Sequence, residues 1–592
     1  MTQPTPTVNL RLPFRIGGFN TLLDALAYAA RGETGFNFHG SRGRLETVLS
    51  YRELFERSRE LARRLAALGV ARGDRVGLLA DTSPDFLLAF FACQWAGCIP
   101  VPLPLAVNLG GADAHVARLR TMLKAASARL ALAPADGVAR LERAAQGTLV
   151  RAVLTVAELE QQAPAREDPR PFDVGDPCYI QYSSGSTSFP RGVLVTQRAL
   201  AANAEAIAAH GVRLREGDRC VSWLPLYHDM GLVGCCLTPV FAQVSVDYIS
   251  TASFARRPLL WLELLSRHAG TISFSPTFGY ELAARRARNG NGIDAYDLRS
   301  WRVAGIGGEM IRPDVLDAFA DTFAPAGFDR RAFLASYGLA EATLAVTFGA
   351  LEEEVRVDRV ARGPLLECEG LAVRVPVESD ARLVRSFVRC GRPLPGYRVE
   401  IRDAQGRALP ERRIGRICIK GPSLMQAYFR DPSATRAVLS EDGWLDTGDL
   451  GYLVEGELVV TGRAKDVVIV GGRNIWPQDL EWAVERLEGV RHVAAFSVGG
   501  SEGPERVVVA VECRLRDASA REALRREIRS LLLRSAGVEC EILLLPPKSL
   551  TFTTSGKLSR AAARRRYLRG EFVDLDEDRS LAPRAMAPAL AS

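Results

Sequence analysis

The stretch QYSSGSTSFPRGV at residues 181–193 lies between two short apolar runs, Cys178 to Tyr182 and Val193 to Val195. Small hydroxyl residues and glycines let a backbone come close to a polyphosphate, whose oxygens then accept hydrogen bonds from N–H and hydroxyl groups. A run rich in serine and glycine is more often a flexible loop when it stands alone. Its position directly after one predicted strand and before another favours a phosphate-binding loop.

Short apolar runs alternate with helical patterns on both sides of this loop, from about residue 50 to residue 340. This alternation predicts parallel sheets whose two faces are covered by helices, with a ligand site at the carboxyl ends of the strands. The predicted strands are Arg75–Ala80, Cys178–Tyr182, Cys220–Leu224, Thr271–Phe274, Val303–Ile306 and Phe333–Tyr337.

At 592 residues the chain exceeds what a single hydrophobic core usually holds, so more than one domain is expected. We predict the α/β class, with a large multi-lobed N-terminal domain over residues 1–464 that contains parallel sheets flanked by helices and a small β-rich lobe. A small, mobile α+β domain is predicted for residues 465–572, and a disordered tail for the Ala/Pro-rich residues 573–592. The Pro-rich and acidic stretch 161–176 is expected to connect two lobes.

The composition is that of an ordinary globular protein, since 47% apolar and 24% charged residues argue against disorder. The net charge of +7 is spread along the chain, and its densest basic run, Arg560 to Arg569, falls at the end of a predicted helix. Because the chain shows no basic stripe interleaved with aromatic residues and none of the familiar nucleic-acid modules, a solvated basic face is a better interpretation than nucleic-acid binding. The 11 cysteines form no CxxC pair, the six histidines have no metal-ligand spacing and no secretory leader opens the chain, which indicates reduced thiols in a cytoplasmic protein.

The apolar stretch Phe86 to Val107 is long enough to suggest a membrane span. However, Gly97 and three prolines interrupt it, and the preceding Thr82–Asp85 has the pattern of a helix start with proline in the first turn. We therefore predict a buried helix followed by an extended segment, and no stable membrane insertion.

Three further motifs contain polar residues that are candidates for ligand binding. In SWLPLYHDMGL, residues 222–232, His228 is expected to line a pocket, although a histidine beside a tyrosine is more often structural. In SYGLAEAT, residues 336–343, Tyr337 has a face that suits stacking on a base, and Glu341 has oxygens that suit Mg²⁺. In GWLDTGDLG, residues 443–451, the Asp449 carboxylate is suited to accept both ribose hydroxyls, although a simple hairpin turn has the same pattern.

Lysine is rare in this chain, because only five of its 76 basic residues are lysines. Two of these lie in motifs, Lys465 in GRAKD at residues 462–466 and Lys557 in TTSGKLSR at residues 553–560. A compact ammonium and a planar guanidinium are not interchangeable where a point charge must meet a phosphate or carboxylate oxygen. No G-x-x-x-x-G-K-[ST] pattern occurs in the chain, which argues against a P-loop ATPase or kinase.

Taken in order, these motifs resemble the adenylate-forming superfamily of acyl-CoA synthetases, luciferases and peptide-synthetase adenylation domains, over about residues 20–570. SWLPLYHDMGL and SYGLAEATL are similar to the fatty acyl-AMP ligases, which pass the acyl group to a carrier protein instead of to coenzyme A. The charged segment 351–385 resembles the insertion that distinguishes these ligases, in which it is held to hinder the domain rotation needed for CoA transfer. A long surface loop would have the same appearance.

The resemblance implies ATP and Mg²⁺ as cofactors and assigns roles to individual residues. Lys557 would contact the α-phosphate and the substrate carboxylate, His228 would lie between nucleotide and acyl pocket, and Lys465 matches the hinge position. The phosphate loop would be Ser183, Ser184, Gly185, Ser186 and Thr187, with Thr187 and Glu341 placing Mg²⁺. The nucleotide would be surrounded by Gly307, Gly308, Glu309, Tyr337, Gly338 and Ala340 at adenine and by Asp449 and Arg463 at ribose.

Two residues depart from the superfamily pattern. Arg191 stands where GxPKG has lysine, a position at which fatty acyl-AMP ligases often lack lysine too, and Arg416 stands where a GEI glutamate is common. Both leave the local contacts to be established by structure.

These features predict ATP-dependent activation of a fatty acid to fatty acyl-AMP, followed by transfer to the phosphopantetheine thiol of an acyl carrier protein. A fatty acyl-CoA ligase with the same first step is the main alternative. A peptide-synthetase adenylation domain is less expected, because no carrier or condensation module is attached. The departures at Arg191 and Arg416 also keep open a non-catalytic acyl or nucleotide sensor.

Overall fold

The computed structural model describes residues 12–105, 111–183, 191–288, 292–380, 383–470, 472–499, 505–553 and 557–576. The strands are β1 Gly35–His39, β2 Leu45–Ser50, β3 Arg75–Leu79, β4 Ile99–Leu103, β5 Leu130–Leu132, β6 Val153–Leu154, β7 Pro177–Tyr182, β8 Gly192–Thr196, β9 Arg219–Ser222, β10 Ser245–Ile249, β11 Ile272–Ser275, β12 Val303–Ile306, β13 Phe333–Gly338, β14 Ala345–Phe348, β15 Val357–Ala361, β16 Val384–Val388, β17 Arg392–Pro393, β18 Arg398–Arg402, β19 Gly415–Lys420, β20 Ala427–Tyr428, β21 Leu445–Val454, β22 Glu457–Arg463, β23 Val468–Val470, β24 Arg473–Ile475, β25 Val490–Val498, β26 Arg506–Cys513 and β27 Cys540–Leu545.

The helices are α1 Leu22–Ala29, α2 Tyr51–Ala67, α3 Pro84–Trp95, α4 Gly111–Ala126, α5 Val138–Ala145, α6 Val156–Glu160, α7 Gln197–Ala206, α8 Thr238–Phe241, α9 Thr251–Arg256, α10 Leu259–Arg267, α11 Thr277–Arg288, α12 Pro313–Phe323, α13 Pro364–Glu367, α14 Pro432–Arg436, α15 Pro477–Glu485, α16 Ala518–Ala536 and α17 Arg560–Leu568. Two segments, Ile207–Gly211 and Met230–Leu237, are π-helical.

The largest sheet has nine strands in the order β17-β14-β13-β12-β11-β9-β10-β1-β2. Its centre, from β13 to β1, is parallel, and antiparallel strands close both ends. The carboxyl ends of β9, β12 and β13 therefore lie along one edge, where parallel α/β sheets bind ligands. The motifs at residues 222–232 and 336–343 begin at this edge.

Smaller sheets surround this one. The parallel sheet β4-β3-β5-β6 and the antiparallel sheet β18-β19-β21-β22 each have four strands, and β25-β26-β27 forms the sheet near the C-terminus. The two faces of β25-β26-β27 pack into separate hydrophobic clusters, one with Val493 and Val509 and the other with Phe496 and Val508. The α/β fold class is confirmed, whereas the domain boundary at residue 465 stays a prediction. Most of the predicted tail, residues 577–592, lies outside the described residues.

The strand before the phosphate loop differs from its prediction. We expected Cys178–Tyr182 among parallel strands, but β7 pairs antiparallel with β8, and β8 pairs antiparallel with β20. The physical reason is the short connection, because parallel neighbours need a crossover of about a dozen residues or more. β7 and β8 therefore form an antiparallel pair on either side of the loop.

The apolar stretch after Ser83 forms buried structure, as predicted. The Ser83 hydroxyl accepts a hydrogen bond from the Phe86 N–H at 3.3 Å and caps α3, with Pro84 in the first turn. The extended segment that follows becomes β4, parallel to β3 and fully buried. In the part of the chain that the structure describes, no helix combines the length and apolar character that crossing a bilayer requires.

Candidate active site

A cavity of about 1020 Å³ lies at the carboxyl ends of the central strands. The β21–β22 hairpin and the segment around Lys557 also line it, so residues from distant parts of the chain share one space. The sequence-predicted residues that line it are Ser183, His228, Gly308, Glu309, Tyr337, Gly338, Ala340, Glu341, Asp449, Arg463, Lys465 and Lys557. Gly307 is the one described candidate that is not among the lining residues, and Ser184, Gly185, Ser186 and Thr187 lie outside the described residues.

Tyr337, Asp449 and Arg463 form a connected group on one wall. The Tyr337 hydroxyl donates to Asp449 Oδ2 at 2.9 Å, and Arg463 Nε lies 3.1 Å from Asp449 Oδ1. The β21–β22 register places Asp449 opposite Arg463, which explains why residues in two separate motifs meet. Burial raises the pKa of Asp449, and Arg463 opposes this shift by favouring the charged form.

Glu341 lies on the adjoining wall, on a short 3₁₀ turn after β13. Its Oε1 accepts a hydrogen bond from the Tyr428 hydroxyl at 2.8 Å, and the Arg191 guanidinium lies 5.2 Å from the centre of the Tyr428 ring. Burial raises the pKa of Glu341, and the bond from Tyr428 counters that rise. The departure at Arg191 therefore faces an aromatic ring at the end of the phosphate loop.

Lys557 is surrounded by acids. Burial lowers the pKa of Lys557, while the charges of Glu309 and Asp229 act to raise it. Burial in turn raises the pKa of both Glu309 and Asp229, and Lys557 lowers them. These opposed effects show that the ammonium and the carboxylates compensate one another in a poorly solvated space.

The backbone around these groups passes close to the cavity. Gly308 has φ +79°, and a Cβ there would lie 3.2 Å from the Met230 sulfur and 3.8 Å from Lys557 Nζ. A Cβ on Gly338 would come within 1.8 Å of the Leu344 carbonyl oxygen. Both positions need glycine because one requires a left-handed conformation and the other leaves no room for a side chain.

The motif at residues 222–232 joins the polar part of the cavity to an apolar arm. The His228 N–H donates to the Pro225 carbonyl at 3.1 Å, and the His228 ring lies 4.8 Å from that of Tyr227. The Asp229 carboxylate accepts from the Met230 N–H at 2.9 Å, at the start of the second π-helix. Such π-helical turns are common at functional sites.

The apolar arm is lined by side chains from both π-helical regions, the central strands and α9. Trp223 stacks on Phe254 with ring centres 3.8 Å apart and presents its edge to Phe278. Further along, the lining is aliphatic and aromatic, with Ile207, Val212, Leu214, Ile272, Phe274 and Phe348. A pocket with an apolar arm and a few convergent polar groups is typical of small-molecule binding.

The second departure, Arg416, is accommodated by an ion pair. Arg416 Nη1 donates to Asp446 Oδ2 at 3.0 Å, and Asp446 Oδ1 accepts from the Gly448 N–H at 2.9 Å. The pair thus lies against the turn that leads to Asp449. Because both side chains are partly exposed, we expect this pair to contribute at most about 1 kcal/mol.

The segment that carries Lys557 is tied to the rest of the chain through Arg560. This guanidinium contacts Asp466 at 3.0 Å, next to Lys465, and Glu481 at 2.6 Å. Thr553 and Lys557 are also close, since the Thr553 N–H donates to the Lys557 carbonyl at 2.6 Å. Thr553, Lys557 and Arg560 all line the cavity.

Asp229, Tyr428 and Gln478 are polar residues that line the cavity but were not singled out from the sequence. Asp229 follows His228 in the motif at residues 222–232, and an acid just after a predicted strand is a signal that could have identified it. Tyr428 and Gln478 belong to stretches without a recognisable motif. No local signal indicates that β20 pairs with β8 and so brings Tyr428 to the phosphate loop.

The donor set suits a nucleotide with a polyphosphate and a divalent cation. Lys557, Arg463 and Arg191 provide positive charge, and the close backbone approach at Gly308 leaves a space that a side chain would fill. Glu341 is a carboxylate, and carboxylate oxygens are the ligands that Mg²⁺ prefers. The residues present therefore fit ATP and Mg²⁺.

We predict that Glu309→Gln lowers the pKa of Lys557 further, because the substitution removes a negative charge that favours the ammonium. The pH dependence of Lys557 acetylation, followed by peptide mass spectrometry, measures this pKa directly. The exposed Lys548 in the same sample is the internal control, and its profile should not move. An unchanged Lys557 profile would mean that Glu309 does not influence the ammonium.

Comparison with known proteins places this site in a family. A family model described as AMP-binding enzyme matches residues 41–429. A putative acyl-CoA synthetase of Caulobacter vibrioides is 47% identical over 578 residues, which cover 96% of this chain and 99% of that protein. The medium-chain-fatty-acid–[acyl-carrier-protein] ligase JamA of Moorena producens is 33% identical over 582 residues, covering 93% of this chain and 96% of JamA.

A solved structure from a study of the fatty acyl-adenylate ligases of E. coli and L. pneumophila superposes with a TM-score of 0.89 at 43% identity. The match covers 94% of this chain and 100% of the other. The family model spans well over half of the chain, and the C. vibrioides relative is similar along nearly its whole length. The chain therefore belongs to the AMP-binding enzymes, the family of adenylate-forming ligases.

Proposed function

We propose that this enzyme activates a fatty acid with ATP to form fatty acyl-AMP, and then transfers the acyl group to the phosphopantetheine thiol of an acyl carrier protein. The observation that carries the first step is a single cavity in which an apolar arm meets Lys557 and the buried acids. The apolar arm suits a fatty acyl chain, and the polar part suits the nucleotide. The relatives named for fatty-acid ligation support the same substrate class.

The resemblance to the adenylate-forming enzymes supplies the proposed residue roles. Tyr337, with Gly307, Gly308, Glu309, Gly338 and Ala340, borders adenine, and Asp449 with Arg463 holds the ribose hydroxyls. The loop Ser183 to Thr187 holds the phosphates. His228 lies between nucleotide and acyl chain, and Lys465 is the hinge about which the C-terminal region turns before the second step.

In the first step the fatty acid carboxylate oxygen attacks the α-phosphorus of ATP, and the bond to pyrophosphate breaks. Little covalent work falls to the protein, so catalysis consists of alignment and charge stabilisation. Lys557 draws the two anions together and meets the charge that develops on the α-phosphate oxygens. The charges of Glu309 and Asp229 act to raise the pKa of Lys557, against the lowering that burial causes.

A divalent cation fits the same arrangement. Glu341 and Thr187 would hold Mg²⁺, which supplies charge neutralisation of the phosphate oxygens when bound. The half-buried Glu341 carboxylate accepts a hydrogen bond from the Tyr428 hydroxyl, which limits its orientation.

The acceptor is inferred from the segment at residues 351–385 and its contacts. Glu367 Oε2 lies 2.6 Å from Arg473, and Arg385 lies 3.1 Å from Asp479 and stacks over Trp476 at 4.0 Å. Val360, Leu366 and Phe387 pack with Trp476 in one cluster. We propose that these contacts restrain the C-terminal region and disfavour CoA, which agrees with the carrier-protein acceptor of JamA.

A fatty acyl-CoA ligase is the second candidate, because the C. vibrioides relative is described as a putative acyl-CoA synthetase. It shares the first step, so only the acceptor distinguishes the two.

Lys557→Ala is expected to lower fatty-acid-dependent ATP–pyrophosphate exchange by about 100-fold or more, as expected for loss of a preorganised charge in a buried site. Exchange is measured with a panel of fatty acid chain lengths. Lys548→Ala is the matched control, because this lysine is exposed and away from the cavity lining, and it should retain full exchange. Undiminished exchange by Lys557→Ala would contradict the proposed role of Lys557. Absence of exchange in the wild type would favour the non-catalytic sensor instead.

The double variant Glu367→Gln/Arg385→Gln is expected to form acyl-CoA at least about fivefold faster than the wild type, because it removes two restraining ion pairs. Its ATP–pyrophosphate exchange should be unchanged. Glu378→Gln, an exposed change in the same segment, is the control. Each protein receives ATP, a fatty acid and either CoA or a phosphopantetheinylated carrier protein. Rapid acyl-CoA formation by the wild type would contradict the proposed acceptor.

A further inference from the structure

Two acids that line the cavity are each held by a tyrosine hydroxyl. Tyr337 donates to Asp449 at 2.9 Å, and Tyr428 donates to Glu341 at 2.8 Å. The first pair joins two motifs that the sequence already indicates. The second involves Tyr428, which no motif contains, and it connects the carboxylate to the end of the phosphate loop.

Tyr428 occupies this position because of strand pairing. It lies on β20 opposite Val193 of β8, two residues beyond Arg191. The Phe429 N–H donates to the Gly192 carbonyl at 2.7 Å, and the Met425 N–H donates to the Glu341 carbonyl at 2.7 Å. The β20 segment is thus bonded through its backbone to the loop exit on one side and to the Glu341 turn on the other.

The Tyr428 side chain also connects the loop exit to Glu341. Tyr428 is almost fully buried, and its ring carries the Arg191 guanidinium on one face while its hydroxyl reaches Glu341 Oε1. A guanidinium over an aromatic face is attracted by the ring, which limits how the ring can turn. A fixed ring fixes the direction of its hydroxyl, and the hydroxyl engages one of the two Glu341 oxygens.

We propose that Tyr428 is a positioning residue, which holds the Glu341 carboxylate in the orientation that receives the divalent cation of Mg·ATP. This inference rests on the proposed function, since it concerns the same site. Tyr428 touches neither reacting atom, so its effect passes through Glu341. The connection to Arg191 couples the loop that holds the phosphates to the carboxylate that holds the metal.

The test measures ATP binding in the absence of fatty acid, over a range of Mg²⁺ concentrations, by isothermal titration calorimetry. Tyr428→Phe keeps the ring and removes the hydrogen bond. Because a hydrogen bond to a charged group is lost, we expect the Mg²⁺ concentration for half-maximal ATP binding to rise about tenfold. In pyrophosphate exchange, the KM for MgATP should rise while the KM for the fatty acid stays the same.

Tyr452→Phe is the matched control. Its hydroxyl donates to Asp358 at 2.6 Å in another buried phenol–carboxylate bond, but Tyr452 does not line the cavity. This variant should bind ATP with the wild-type Mg²⁺ dependence. The control separates a general loss of stability from a loss at the site.

A double-variant cycle completes the test. In a Glu341→Gln background, Tyr428→Phe should cause no further change in the Mg²⁺ dependence, since the group it positions is gone. The proposal is overturned if Tyr428→Phe leaves the dependence unchanged, or if its effect is equally large in the Glu341→Gln background. ATP binding is read without acyl substrate, so this outcome is independent of whether fatty acids are the substrate.

Discussion

The compensation between one buried ammonium and its acidic neighbours constrains the rest of this structure. Lys557 lies near Glu309 and Asp229, and burial alone would push all three toward their neutral forms. An uncompensated charge in such a space is costly, so the acids favour the position of Lys557 at the cavity. The acids come from the central sheet and the lysine from near the C-terminus, and the cavity is complete only when both are present.

The motif at residues 222–232 links this polar centre to the apolar arm. Asp229 faces the ammonium, and the π-helix that begins at the next residue lines the arm with Gly231 and Gly234. A Cβ on Gly231 would come within 2.2 Å of the Pro225 carbonyl oxygen, so the backbone at Gly231 packs directly against the backbone at Pro225. One short segment therefore contributes both to the charged part of the cavity and to its apolar lining.

The central strands could be predicted because they are buried on both faces and form continuous apolar runs, as in Val303–Ile306. The apolar pattern does not reveal which strands pair or in which direction. The prediction of β7 as a parallel strand was wrong, because its short connection to β8 sets an antiparallel pairing. Each site motif could be recognised in the sequence by itself. The structure shows that residues from these motifs line the same cavity. Tyr428 was not predictable, because its role depends on a pairing between segments more than two hundred residues apart. Arg191 and Arg416 contact the Tyr428 ring and Asp446, respectively, and of these two partners only Asp446 lies in a motif.

The central claim is that a carboxylate oxygen attacks the α-phosphorus of ATP in this cavity. The most direct measurement uses a fatty acid labelled with ¹⁸O in both carboxylate positions, with ATP and an acceptor thiol, and mass spectrometry of the AMP that is released. Attack by the carboxylate leaves its oxygen on phosphorus when the thiol displaces AMP, so the account predicts one ¹⁸O in each AMP formed. Unlabelled AMP, or formation of ADP instead of AMP, would contradict it.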